Sequence, residues 1–397
     1  MDARKKETAF KNLPDYEDTF AEAAKRLTGN FLKPNLRVLI QGSRIDKPAL
    51  IITNSKGFRN EREFDYAVPK GTFRILFLGD SIVAGMRTTQ GKIIGAILED
   101  MLNKKTPDSE SFNRYEVMIS IHTDPVMSWY YCQEEGWRYH PHLILLGITL
   151  GNDIAWHDYQ TTFKAIPQQD GSLLLSYEPK KENQLEKIKN RTIPLPQEAY
   201  RSKNAFEFFQ EWECFIRRML VNTKIQWFSD LGPSIAYPMP NSRRNVFAAD
   251  LNTSPGLFYP PLLPAVEKIF SGFEEALSGF AENVKKNGGR MMLVLFPVRI
   301  QVSEEDRVLL SKFYSLDLSK FDFDYPNRRL IRFCEAHQIL CLDLLLPFRN
   351  HYRRYGESLY FSGGDMHFNE KGQELIAMEL YQFLSAVGES PVRELAP

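Results

Sequence analysis

The stretch Phe77-Leu-Gly-Asp-Ser-Ile-Val-Ala-Gly85 decides how this chain reads. It continues the apolar run Arg74-Ile-Leu-Phe-Leu78, so a strand-like segment stops abruptly at small and polar residues. Three structures explain such a stop: a phosphate-cradling loop, a turn leading into a helix cap, or a mount that holds a serine out as a nucleophile. The phosphate loop fails on composition. Single glycines stand at 79 and 85, without the Gly-Lys-Ser/Thr or Gly-x-Gly-x-x-Gly arrangement. A turn and a serine mount remain open at this point.

Further runs of the same kind follow at Val117 to Ile121, Leu143 to Ile148, Met291 to Phe296 and Ile339 to Leu345. Several are continuous rather than alternating, as in strands covered on both faces, and most are far enough apart for a crossover helix. This pattern predicts a doubly wound parallel sheet. Helices are expected at Gly91 to Leu102, at Pro264 to Lys286 with Gly288-Gly289 as its stop, and at Glu370 to Val387. About 140 residues separate the third run from the fourth, far more than a crossover requires, so an insertion is expected at about 160–260. Within it, Phe208, Trp212, Phe215, Ile216 and Met219 share one face of a helix expected over Asn204 to Leu220. Residues 1–70 read as an N-terminal helical and irregular extension, with a helix near Tyr16 to Leu27, and 71–397 as the main α/β domain.

With 397 residues the chain can bury a large core, and 50 basic against 50 acidic residues give a formal net charge of zero. Nothing in that balance attracts a nucleic acid or a membrane surface, so neither is expected as a partner. The cysteines, Cys132, Cys214, Cys334 and Cys341, are too few and scattered for a disulfide framework. The start MDARKKETAF has no apolar h-region behind it, and no run reaches the length of a membrane span. The expectation is a cytoplasmic chain, or an exported one if a leader has been trimmed.

In an open parallel sheet, ligands bind beyond the carboxyl ends of the strands. Gly79-Asp80-Ser81 follows the first run, Thr149-Leu-Gly-Asn-Asp153 the third, and Gly363-Gly-Asp-Met-His-Phe-Asn369 comes after the fifth, before the last helix. Together they bring a serine, an amide donor and an Asp/His pair, the parts that nucleophilic acyl transfer requires. Imidazole at His367 suits the base, since it takes the serine proton and returns it to a leaving group near neutral pH. Asp365 would fix the tautomer of that ring. The backbone N–H of Ser81 and the side-chain amide of Asn152 would receive the oxyanion.

These residues resemble the SGNH, or GDSL, hydrolases: Gly79-Asp-Ser81 early, Gly151-Asn-Asp153 in the middle, Asp365-x-His367 late, and the approach Asn54-Ser-Lys-Gly-Phe-Arg59 before the first strand. The resemblance implies a flavodoxin-like three-layer α/β/α fold around a five-stranded parallel sheet, elaborated by the N-terminal segment and the insertion. It implies Ser81 as nucleophile, His367 as base, Asp365 as its orienting partner and Asn152 as oxyanion donor, with Gly151 beside it. The chain departs from the family pattern in three places. The segment Ile119-Ser-Ile-His-Thr-Asp-Pro125 lacks the glycine usual after the second strand, the late motif is Asp-x-His rather than Asp-x-x-His, and Leu150 holds a position usually taken by glycine. His122 lies where that second-strand glycine would act, either lining the pocket or simply buried.

No cofactor and no metal is expected. Cys334-Glu-Ala-His337 lacks the matched second pair of a zinc site, and His140-Pro-His142 precedes a strand at the wrong end. The function implied is cleavage or transfer of an acyl group, with acetyl favoured, on a carbohydrate or other small ester through a Ser81 acyl-enzyme. A carbohydrate O-acyltransferase on the same site and a catalytically inactive binding or scaffold protein are the alternatives.

Overall fold

Every residue of Thr72–Gly79 is buried, but its two faces enter different cores. Ile75 and Phe77 pack with Val117, Ile119, Leu145 and Val294, whereas Leu76 and Leu78 pack with Met118, Ile144, Leu146 and Leu293. Because both sets of alternate side chains are apolar, the runs read as continuous.

The computed structural model describes residues 32–40, 48–104, 112–122, 124–151, 153–154, 163–167, 173–177, 196–199, 255–314, 316–361 and 366–388. In chain order the strands are β1 (Arg37–Ile40), β2 (Ala49–Ile52), β3 (Thr72–Gly79), β4 (Arg114–Ile121), β5 (Leu143–Thr149), β6 (Phe163–Pro167), β7 (Leu173–Tyr177), β8 (Arg290–Phe296) and β9 (Leu340–Asp343). The helices are α1 (Ile94–Lys104), α2 (Pro125–Glu134), α3 (Pro264–Lys286), α4 (Arg299–Val302), α5 (Glu304–Tyr314), α6 (Tyr325–Ala336), α7 (Leu345–Tyr355) and α8 (Glu370–Gly388). Five strands form one sheet in the order β4-β3-β5-β8-β9, every pair parallel. From β3 the chain steps outward to β4, then crosses back to β5 and continues the other way. The strand order therefore reverses between β3 and β5, the place where such sheets open a crevice at their carboxyl edge.

Helices cover both faces, giving the three-layer α/β/α architecture of the flavodoxin-like class. α1 and α8 pack together on one side, with Ile94, Leu98, Ile376 and Leu380 buried. Gly95 lets α1 approach β4 closely, since a Cβ there would stand 2.5 Å from Ile119 Cδ1. On the other side α3 buries Val266, Phe270, Phe273, Leu277 and Phe280, a helical stripe worth about 2 kcal/mol per large side chain. Pro264 opens α3, and Gly288, at φ +74°, closes it.

The residues before β3 close the free edge of β4. Arg59 N donates to Ile119 O at 2.9 Å, Asn60 Nδ2 donates to Val117 O at 2.9 Å, and Ile119 N donates to Asn60 Oδ1 at 3.0 Å. The Arg59 guanidinium, fully buried, donates to the carbonyls of Leu50, Ile52 and Thr88 and to Gln90 Oε1. One side chain thus joins the β1–β2 hairpin to the chain that follows Ser81. At the opposite end of the sheet, Arg74 and Glu116 form a buried ion pair at 2.8 Å.

Several boundaries differ from the sequence reading. The helix expected from Gly91 starts at Ile94, because Gly91 sits at φ +86° in a turn. The fifth run is a strand only from Leu340 to Asp343; Asp343 Oδ1 accepts from Leu345 N at 3.0 Å, and the chain enters α7. The β1–β2 and β6–β7 hairpins were not expected, nor were α2, α4, α5 and α7. The helices expected at 16–27 and 204–220 lie outside the described residues.

Candidate active site

Ser81 is held at the carboxyl end of β3 by a turn that only small residues permit. Gly79 has φ +158°, and a Cβ on it would lie 2.4 Å from Val83 Cγ2. A Cβ on Gly147, in the middle of β5, would lie 2.5 Å from the same atom. Val83 therefore plugs into two neighbouring strands where both lack side chains, and this fixes the turn from within. Asp80 Oδ1 accepts from Ile82 N at 2.8 Å, Met86 N donates to Ser81 O at 3.2 Å, and Gly85, at φ +56°, ends the turn.

His367 arrives from the other end of the chain on a braced loop. Phe361 N donates to His367 O at 3.0 Å, and Tyr360 and Phe368 form an isolated bridge. Tyr360 Oη donates to Pro297 O at 2.8 Å, tying the bridge to the end of β8, while the Phe368 ring is buried among Phe296, Phe348 and Tyr360. Asn369 caps α8: its Oδ1 accepts from Gly372 N at 3.0 Å, and its Nδ2 donates to Ser358 O at 2.8 Å. Gln373, buried one turn later, accepts from Ile94 N at 2.9 Å through Oε1, so α8 and the start of α1 are joined directly.

The two loops meet. His367 Nε2 lies 2.9 Å from Ser81 Oγ across a separation of 286 residues. With Nε2 unprotonated, this is the geometry in which imidazole accepts a hydroxyl proton as that oxygen attacks. Gly151 is buried in the turn after β5, on the same rim. Asn152 and Asp365 lie outside the described residues. Asp153 is buried, and its Oδ2 accepts from Thr149 N at 2.7 Å. Burial raises its carboxyl well above the usual range, with the charges of Asp80 and Asp124 adding to the rise and the Thr149 bond opposing it.

His122 stands at the end of β4 with its ring enclosed at 2% exposure rather than open to a substrate. Its Nε2 lies 2.7 Å from Ser120 Oγ, its ring packs 4.4 Å from that of Tyr131, and burial lowers its pKa to about 3. Its backbone N–H donates to Gly79 O at 2.7 Å. That amide is thus already committed, while no backbone bond among the described residues uses the N–H of Ser81. Val83, Gly147 and Gln373 went unremarked in the sequence; a glycine inside the apolar run Leu143 to Thr149 was the one available signal.

Elsewhere, His142 Nδ1 accepts from Arg74 N at 3.0 Å and its ring stacks on Phe73, while His337 packs on Phe333 rather than pairing with Cys334. A groove of about 410 Å³ between α7 and α8, lined by Leu346, His351, Tyr355, Leu375 and Met378 among others, contains neither Ser81 nor His367. Among the described residues no helix is long and apolar enough to cross a membrane.

No known family's sequence profile matches the chain, and no curated protein does. Among solved structures it is similar to an acetyl xylan esterase, AlAXEase, at 10% identity and TM-score 0.39 over 79% of this chain and 100% of that one. It is also similar to a catalytic mutant of Axe2, an acetylxylan esterase from Geobacillus stearothermophilus, at 13% and 0.38 over 81% and 96%. A psychrotrophic esterase, EstA from Pseudoalteromonas sp., aligns at 11% and 0.35 over 80% and 99%. At this level of likeness the chemistry has to be read from the chain's own residues.

Proposed function

We propose that this chain is a serine ester hydrolase of the SGNH type. The observation that carries the reading is the 2.9 Å contact between Ser81 Oγ and His367 Nε2 at the carboxyl edge of a parallel sheet. Ser81 Oγ attacks the ester carbonyl as His367 Nε2 takes its proton, forming a tetrahedral intermediate. The C–O bond to the leaving alcohol then breaks, and His367 returns the proton to that oxygen. Water, deprotonated by the same imidazole, attacks the acyl-enzyme and releases the acid and the free serine.

Asp365, two residues before the base, fixes the ring with its other nitrogen toward the carboxylate. The Ser81 N–H and the Asn152 amide stabilise the oxyanion, the role for which electrostatic preorganisation contributes most. The acyl group is small, acetyl by the motif's resemblance, and the substrate a carbohydrate or other small ester. Transfer to a sugar hydroxyl instead of water uses the same steps with a different second nucleophile, and the insertion at 160–260 would decide between them by admitting or excluding water.

The test is a burst of p-nitrophenol from p-nitrophenyl acetate together with labelling of Ser81 by a fluorophosphonate. Folded protein that gives neither is a binding or scaffold protein, and the hydrolase reading is wrong.

A further inference from the structure

We propose, resting on the hydrolase reading above, that Asp153 is a positioning residue that must carry a proton for Ser81 to react, so that its ionisation switches the site off as pH rises. Three carboxyl side chains converge at the ends of three neighbouring strands: Asp80 after β3, Asp124 after β4 and Asp153 after β5. They are 7%, 7% and 3% exposed. Each receives one backbone N–H: Asp80 from Ile82 at 2.8 Å, Asp124 from Met127 at 2.8 Å and Asp153 from Thr149 at 2.7 Å. Asp153 differs from the other two in having a second oxygen, Oδ1, that is enclosed without a hydrogen-bond partner among the described residues.

An enclosed carboxylate oxygen with no donor is costly as an anion and far less so as a hydroxyl. Burial and the charges of Asp80 and Asp124 both favour the neutral acid, against one opposing N–H. The other titratable groups of this rim are His122, kept neutral by burial, and His367 on Ser81. A proton on Asp153 therefore keeps a third negative charge out of the carboxyl rim of the sheet. Loss of that proton places an anion just beyond the turn that carries Gly151, where it interacts with Asp80 of the serine turn. There it opposes the negative charge that develops on the attacked carbonyl oxygen, and it repels the Asp80 side of the serine turn. The penalty falls on kcat, since the charge it opposes develops only in the transition state.

The experiment follows the second-order rate of fluorophosphonate labelling from about pH 5 to about pH 10 in four proteins: wild type, Asp153→Asn, Asp124→Asn and Ser81→Ala. The wild type is expected to reach a maximum and then lose about tenfold per pH unit on the alkaline side, as one proton's loss dictates. Asp153→Asn keeps its rate there within about twofold of its own maximum. Asp124→Asn, which preserves the cap of α2, moves the alkaline decline to lower pH than in the wild type, because with one neighbouring negative charge gone Asp153 gives up its proton more easily. A wild-type rate that stays flat to the highest pH, or an alkaline decline equal in wild type and Asp153→Asn, overturns the proposal. If Asp153→Asn does not fold, Asp124→Asn decides: a shift of the decline to lower pH supports the assignment, and an unmoved or upward-shifted decline overturns it. Labelling that persists in Ser81→Ala removes the hydrolase reading itself, and the proposal with it.

Discussion

Val83 occupies the space in which a side chain at Gly147 would have to stand: a Cβ on residue 147 would come within 2.5 Å of Val83 Cγ2 and 2.6 Å of Phe296 Cε2. The serine turn and the middle of β5 are therefore one packed unit, although 64 positions of sequence order separate them only as 147 from 83. Gly147→Ala is expected to destabilise the protein by about 1–3 kcal/mol through overpacking and to slow Ser81 labelling. Val83→Ala in the same chain removes one of the two clashing groups. Thermal unfolding of the single and double variants checks this, and a double variant no more stable than Gly147→Ala would separate Val83 from the strain.

Ser81→Ala is expected to abolish ester turnover while leaving the unfolding midpoint near that of the wild type. His367→Ala loses about 10²- to 10⁴-fold in kcat/KM, the usual contribution of a general base. Asn152→Ala loses about 3 kcal/mol of barrier, the size of one oxyanion donor. Steady-state hydrolysis of p-nitrophenyl acetate measures all three, and an Asn152→Ala variant at the wild-type rate takes that residue out of the mechanism.

Gln373 links the helix behind the base to the helix behind the nucleophile through its bond to Ile94 N. Gln373→Leu leaves that N–H buried without an acceptor, at a cost of about 1–3 kcal/mol. Because the bond spans the two loops, kcat is expected to fall with little change in KM. Gln373→Glu, which keeps an acceptor oxygen, should restore most of the loss. Equal damage from both substitutions would count against a positioning role.

His122 gives a pH dependence of stability whose sign can be worked out. Its folded-state pKa is about 3, below the ordinary imidazole value of 6.5, so between those values the unfolded chain binds a proton that the folded chain does not. Stability therefore rises as pH increases through that window and is complete above it. At pH 5 the penalty is about 2 kcal/mol, from about 1.4 kcal/mol per unit. His122→Gln should narrow the difference in denaturant midpoint between pH 5 and pH 7.5, and an unchanged difference would show that the ring is not the group responsible.

Much of the fold was legible because burial on both faces writes itself locally. The runs at 75–78, 117–121, 143–148 and 291–296 all lie within strands of the one parallel sheet, and Pro264 to Lys286 is helical with the limits its proline and glycines suggest. Boundaries failed where a polar side chain intervened, as at Asp343, whose bond to Leu345 N turns a continuous apolar run into a strand followed by a helix. The fate of His122 was also not legible. An imidazole after a strand can face a pocket or a core, and its bond with Ser120 and its packing on Tyr131 put it in the core.

The sequence by itself determined which runs supply the strands of the parallel sheet, which loops leave their carboxyl ends, and that a serine and a histidine stand in two of those loops. Only the tertiary structure decided that Ser81 and His367 touch, that Val83 locks into two glycines, and that Asp153 lies buried beside Asp80 and Asp124. Strand identity follows from the apolarity of a few consecutive residues. Contacts between loops follow from strand order and register, which are set by how all the strands and helices pack at once.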